Sequence, residues 1–249
     1  MGAISSTIKT SMPAESAAQI RLREFADENV AQFLQRYFKT GPGEYGEGDR
    51  FLGIRAPILH KVAAEFEGLT LDELDVLLQS PIHEDRLLAL LILGRQYSRG
   101  NAKLRPRIYR LYLRRLKFVN NWDLVDSSAP YLVGPHLADG NPAPLYRLAK
   151  SRRVWDRRVA VLATLHFIRN DRFDVTLELA RLLHQDTHDL IHKAVGWMLR
   201  EVGKRNVGAL CDFLDGQARF MPRTALRYAI ERLPEPQRRR YLAISRQAS

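Results

Sequence analysis

Trp122 and Asp126 stand four residues apart in the segment NNWDLVD, so a helix beginning there presents an indole and a carboxylate on one face. Similar mixtures recur downstream. WDRR carries Trp155, Arg157 and Arg158, HKAVGW sets Trp197 four residues after Lys193, and PRTALR carries Arg223. Guanidinium groups suit two-pronged contacts to phosphate. A lone carboxylate among them has two readings, a catalytic group or a salt bridge to an arginine of the next segment, and the spacing leaves both open. Arg158 has the complementary reading as its partner. Trp122, Trp155 and Trp197 have a plain alternative as core residues. Asp123, at a helix start, is expected to cap free N–H groups or favour the helix dipole.

The elements that must position these residues are helices. From about residue 15 onward nearly every apolar run has helical spacing, and no alternating stretch is long enough to demand a strand. Pro and Gly cluster between the runs, in GPGEYGEGD, SPIHED, VGPHLADGNPAP and RLPEPQ. HEDRLLALLILGRQY, NNWDLVDSSAPYLVG, VWDRRVAVLATLHFI, DLIHKAVGWMLREVG and MPRTALRYAIERL each open polar or aromatic and then turn apolar. Aligning their onsets superposes Arg86, Trp122, Arg158, Lys193 and Thr224, a step of roughly 36 residues that fits paired-helix repeats. Each unit is then two antiparallel helices covered by its neighbour, and the onsets of the second helices share one surface of a solenoid. An arginine-rich groove holding two aromatic planes and one carboxylate is not what a pure scaffold requires. The expected organisation is a disordered leader over 1–15 followed by one repeat domain over 16–245.

Lys and Arg outnumber Asp and Glu by 39 to 28, for a net charge of +11, and the excess is mostly arginine. That balance favours a polyanion, with nucleic acid ahead of an acidic protein or an anionic membrane. The single cysteine, Cys211, excludes an internal disulfide and a cysteine-based zinc site, and its apolar run predicts inert core. No run of about 18 apolar residues and no secretory layout is found, so a soluble cytoplasmic protein is expected. MGAISS matches the loose N-myristoylation pattern, within what reads as a disordered leader.

Two further signals weaken on inspection. GPGEYGEGD lacks the GK[ST] ending of a phosphate loop and follows no strand, so it reads as a flexible loop. His184, His188 and His192 are spaced by four, but QDT reads as a turn with an N-cap and HDLIH lacks the glutamate of a zinc-peptidase helix. No metal site and no cofactor are expected.

Taken in order, QRYFKTGPGEYGEGDRFLGI, NNWDLVDSSAP, WDRRVAVLATLHFIR, HKAVGWMLREVGK and PRTALRYAIERLP make the chain resemble the AlkD-like DNA alkylation repair family from about residue 20 to 240. The resemblance implies a superhelix of HEAT-like repeats with a basic concave surface. It implies that Asp126 is the catalytic carboxylate, that Trp122 and Trp197 flank the sugar and phosphates of the lesion, and that Arg158 is the arginine of the catalytic cleft. Tyr37 resembles an aromatic residue of the N-terminal helices near that cleft, and Arg200 a phosphate-contacting position. Arg157, Lys193, Lys204 and Arg223 join it as expected DNA contacts. The sequence departs from the founding member in a slightly shorter Asp126-to-Arg158 segment and in GPGEYGEGD, which is absent or reduced there, so the resemblance does not carry lesion range.

The implied reaction is hydrolysis of the N-glycosidic bond of a cationic alkylated purine, 7-methylguanine or 3-methyladenine, in duplex DNA, by a monomer and without a base-flipping pocket. A cationic base leaves without a general acid. What remains is an oxocarbenium-like sugar for Asp126 to stabilise and a water for it to orient. Two other classes stay open: a non-catalytic repeat protein that binds damaged or branched DNA, and a protein-binding HEAT scaffold.

Overall fold

The structure is a computed structural model in which residues 15–138 and 140–244 are described. The expected leader lies outside the described residues except for Glu15. From the N-terminus the helices are α1 (Ala17–Arg23), α2 (Glu28–Tyr37), α3 (Ala56–Glu65), α4 (Leu71–Leu78), α5 (His83–Arg99), α6 (Leu104–Arg114), α7 (Trp122–Asp126) and α8 (Ala129–Ala138). They continue as α9 (Ala143–Ala149), α10 (Val154–Arg169), α11 (Asp174–Leu182), α12 (Asp189–Arg205), α13 (Val207–Gln217), α14 (Arg223–Ala229) and α15 (Glu235–Ala243). Among the described residues no strand forms, only an isolated bridge between Arg50 and Ile82. The fold is the expected all-α, solenoid-like stack.

Two layers follow from the packing. Along one, α3 meets α5, α5 meets α7 and α8, α8 meets α10, α10 meets α12 and α12 meets α14. Behind it, α4, α6, α9, α11 and α13 each pack on a helix of that first row. Apart from Phe38 and Phe51, the buried apolar side chains form one connected cluster from Ala18 to Tyr241, since each amphipathic unit is covered by the next. Close approach is built in where it is needed. At Gly196, beside Trp197, a Cβ would collide with the Ala225 carbonyl, so α12 and α14 pack backbone to backbone there.

The helix starts are fixed locally. Thr70 and Glu73 form a reciprocal capping box on α4, Asp27 caps α2, and Asn206 caps α13. At α7 the cap is Asn121, whose side chain accepts from the Trp122 N–H at 2.9 Å. Asp123, in the first turn, accepts the free Leu124 N–H at 2.8 Å as expected of a carboxylate at a helix start, and turns its other oxygen to His83. Trp155 is buried, as a core residue is. Cys211 is half-buried and not core.

Candidate active site

The five expected onsets lie at or near the starts of first-row helices: Arg86 on α5, Trp122 on α7, Arg158 on α10, Lys193 on α12 and Thr224 on α14. α7 is a single turn, which is why Asp126 falls at its end and Ser127 at its C-cap. Both residues line an open cavity of about 990 Å³ along the first row, with contributions from α5, α8 and α10. Among the described residues Asp126 is the one acidic side chain of that lining. The lining also includes His60, Arg95, Arg99, Arg105, His136, His166 and Arg169.

Asp126 is also paired. Arg158 donates Nε to Oδ1 at 2.8 Å and Nη2 to Oδ2 at 2.7 Å, and sends Nη1 to the Leu190 carbonyl at 2.7 Å. The guanidinium is thus nailed between α7 and the start of α12, and it fixes the plane of the carboxylate. The two readings left open by the spacing are therefore not exclusives: the same carboxylate sits in an ion pair and on the cavity wall. Burial raises the Asp126 carboxyl above its ordinary value, outweighing the opposing effect of Arg158. Such a pair is costly to bury and weak as a source of stability, so its position on a cavity wall is the informative part.

One turn away, Trp122 is held by aromatic neighbours. Phe38 stacks on it with centroids 4.9 Å apart and planes at 16°, and Tyr37, more than half exposed, meets it edge-on at 5.9 Å. Trp197, half-buried, donates its indole N–H to Glu201 at 3.0 Å. The other basic residues expected to contact a ligand all have protein partners. Lys193 pairs with Asp189 and Lys204 with Glu201, each at 2.7 Å, and Arg200 pairs with Glu231. Arg157 bonds Asp186 at 2.6 Å and the carbonyls of Ser151 and Arg152, and Arg223 donates to the carbonyls of Leu242 and Ile244. Lys193 and Lys204 are well exposed and their carboxylates exchange readily for another anion; the guanidiniums of Arg157 and Arg223 are committed to holding chain segments.

The sequence reading missed a hub. In HEDR, at the start of α5, all four side chains are buried. His83 sits between two carboxylates, Asp49 at Nδ1 and Asp123 at Nε2, both at 2.7 Å, with its ring stacked on Phe51 at 4.3 Å. Burial alone would lower the imidazole, but Asp123 and Asp49 override it and raise it to about 9, so His83 is an imidazolium at neutral pH. Arg86 adds a contact to Asp49 at 2.6 Å. Burial works to raise the Asp49 carboxyl, yet His83 and Arg86 bring it below the ordinary value. Glu84 accepts the backbone N–H groups of Leu52, Gly53 and Ile54 at 2.9–3.2 Å, and Asp85 accepts Arg23, Gln19 and Ser80. Through Asp123, this hub fixes the helix that carries Trp122 and Asp126. Its only sequence signal is four charged or titratable residues in a row directly before an apolar run, which also describes an ordinary polar helix start.

The three spaced histidines do not converge. His184 is buried with its imidazole lowered to about 4 by desolvation and Arg181, His188 is itself the N-cap of α12, and His192 bonds the Asp186 carbonyl at 2.5 Å. Among the described residues no group of three metal-ligating side chains is found, and no helix is long and apolar enough to cross a membrane.

An all-α helical-repeat architecture with a basic, cavity-lined first row defines the class. Within it the chain belongs to the DNA alkylation repair enzyme family, whose model matches residues 18–233. Its fold is similar to that of a predicted DNA alkylation repair enzyme from Enterococcus faecalis, with a TM-score of 0.65 and 18% identity over 84% of this chain and 97% of that one. No curated protein matches. The family supports a role in the repair of alkylated DNA.

Proposed function

We propose that this protein is a monofunctional DNA glycosylase that hydrolyses the N-glycosidic bond of cationic alkylated purines, 7-methylguanine and 3-methyladenine among them, in duplex DNA. The observation that carries the reading is Asp126, among the described residues the one acidic side chain on the wall of a basic cavity, with both oxygens oriented by Arg158. In the proposed step a water oxygen bonds to C1′ while the C1′–N bond breaks. The bonding pair leaves with the purine and cancels its positive charge, so no acid is required. Positive charge on the sugar peaks in between, where the carboxylate stabilises it, and the water's proton passes to Asp126 or to solvent.

The remaining residues divide the work. Trp122 and Trp197 offer indole faces near the cationic sugar, with one face of Trp122 already covered by Phe38. Lys193, Arg200 and Lys204 trade their carboxylate partners for phosphates, and Arg157 and Arg223 act by fixing the segments beside them. Tyr37 adds an exposed ring beside Trp122. An enclosed pocket is not needed, because the cavity is open along the first row, which suits reaction without flipping the base. The net charge of +11 implies binding that weakens with salt.

A non-catalytic DNA-binding role is the second reading, favoured by one observation: Arg158 takes up both oxygens of Asp126 and partly neutralises it. Incubating the protein with methylated duplex DNA and chromatographing the released bases separates the two. Release of 7-methylguanine supports the first; tight binding with no release supports the second.

A further inference from the structure

α7 holds Trp122 and Asp126 on a single turn of five residues, too short to keep its shape by its own hydrogen bonds. Arg158 grips one end of it, at Asp126. The other tie is His83 of α5, whose Nε2 meets Asp123 at 2.7 Å. The same imidazole closes a stack of rings: it lies on Phe51 at 4.3 Å and 23°, Phe51 on Phe38 at 4.9 Å and 20°, and Phe38 on Trp122 at 4.9 Å and 16°. His83 therefore reaches α7 twice, through the Asp123 carboxylate and through the rings beneath Trp122.

Counting protons shows what this tie requires. A carboxylate only accepts, so contacts of 2.7 Å from both ring nitrogens, to Asp49 and to Asp123, need two N–H groups. A neutral imidazole has one. The Asp49 side chain, 1% exposed, is out of reach of water, and it also accepts from Arg86 at 2.6 Å and Asn121 at 3.4 Å. It closes a segment tied to itself, in which Glu44 and Glu47 accept the backbone N–H groups of Gly41 and Gly43 at 2.9 and 3.0 Å. The Asp123 side chain is 14% exposed and can turn to water. With a single ring proton, Asp49 keeps its partner and Asp123 loses it, because the penalty for an unmade bond is larger at the buried group. Glu84 and Asp85, next to His83 on α5, are turned away, to the N–H groups of residues 52–54 and to Arg23.

We propose that His83 is a positioning residue of this site: with both ring nitrogens protonated it holds the α7 turn so that Asp126 and Trp122 keep their working geometry, and with one proton it lets the turn go. Buried and off the cavity wall, His83 acts through Asp123 and the ring stack. The consequence for the rate rests on the glycosylase reading; the hold on α7 does not.

The test is single-turnover release of 7-methylguanine from methylated duplex DNA between about pH 7 and pH 9.5, with affinity for an uncleavable tetrahydrofuran duplex measured in parallel and native circular dichroism at each pH. His83→Gln is expected to slow release about ten- to a hundredfold at pH 7, the cost of a misplaced carboxylate, and to weaken binding far less. The wild-type rate is expected to fall as pH rises through about 9, where the imidazole, lowered by burial but raised further by Asp123 and Asp49, gives up its second proton. In Asp49→Asn the amide N–H donates to Nδ1, so a neutral ring keeps its one N–H for Asp123, and this alkaline fall is expected to disappear. Rate and affinity falling together in His83→Gln, no alkaline fall in the wild type, or the same fall in Asp49→Asn overturns the proposal. Backbone hydrogen exchange supplies a readout independent of activity. In His83→Gln it is expected to quicken at residues 121–127 and not across α10 and α12; an equal rise throughout, or none at α7, contradicts the positioning role. A wild-type protein that releases no base refutes the glycosylase reading, and the exchange measurement then decides the hold on α7 by itself.

Discussion

Raising the pH through the upper eights is expected to strip stability from this protein through a single side chain. His83 is buried between Asp49 and Asp123, and its imidazole is raised from 6.5 to about 9. The fold therefore favours the protonated form. Its contribution is fully present below the unfolded value of 6.5, and it is lost as pH rises through about 9. At about 1.4 kcal/mol per unit, the shift corresponds to roughly 3 kcal/mol, a large share of the stability of a domain. The Arg86 guanidinium still bonds Asp49 at 2.6 Å, so the loss loosens the hub without leaving Asp49 bare. Tyr109 and Tyr112 are raised above the ordinary phenol value and stay neutral throughout. Urea unfolding at fixed temperature between about pH 6 and pH 9 reads the effect directly as a falling free energy. His83→Gln is expected to be less stable at neutral pH and to show a much flatter profile. A wild-type profile that is flat or rising over that window, or an equal slope in the variant, refutes the assignment.

Other expectations follow from the same geometry. Asp126→Asn keeps the shape of the site and is expected to retain DNA binding while base release falls at least about tenfold, some 1.4 kcal/mol of transition-state stabilisation. Because burial raises the Asp126 carboxyl and the ionised form is the active one, the rate is expected to fall on acidification at a pH above the ordinary carboxylate range, and a profile that breaks only below it contradicts the role. Glu84→Gln leaves the three N–H groups of residues 52–54 sharing a neutral acceptor in place of a charged one, so a loss of about 1–3 kcal/mol is expected in thermal or urea unfolding.

The helices were legible because their signals are local. The onset alignment of Arg86, Trp122, Arg158, Lys193 and Thr224 needs only apolar periodicity within each segment, and all five fall at or near the starts of first-row helices. Asp123 was legible as a first-turn carboxylate, but its second role was not, for the opposite reason. Its main partner, His83, is 40 residues away, and nothing within NNWDLVD records it. The partners of Arg200 and Arg157 are likewise far off in sequence, Glu231 in the next repeat and Asp186. Charge in the sequence counts cations but not their occupancy. The cavity arginines Arg95, Arg99, Arg105 and Arg169 went unnamed because they sit at the far ends of the helices or in α6, away from the aligned onsets. GPGEYGEGD looked open because two glutamates that tie it to its own backbone read, in one dimension, as solvated charge.

The central claim is that Asp126, on the wall of a basic cavity, serves the hydrolysis of a cationic nucleotide. The direct measurement is the release of free 7-methylguanine from methylated duplex DNA by the wild-type protein, side by side with Asp126→Asn. Release by the wild type, with a strong reduction in a variant that still binds DNA, is the predicted result; no release by either, or equal release by both, contradicts it.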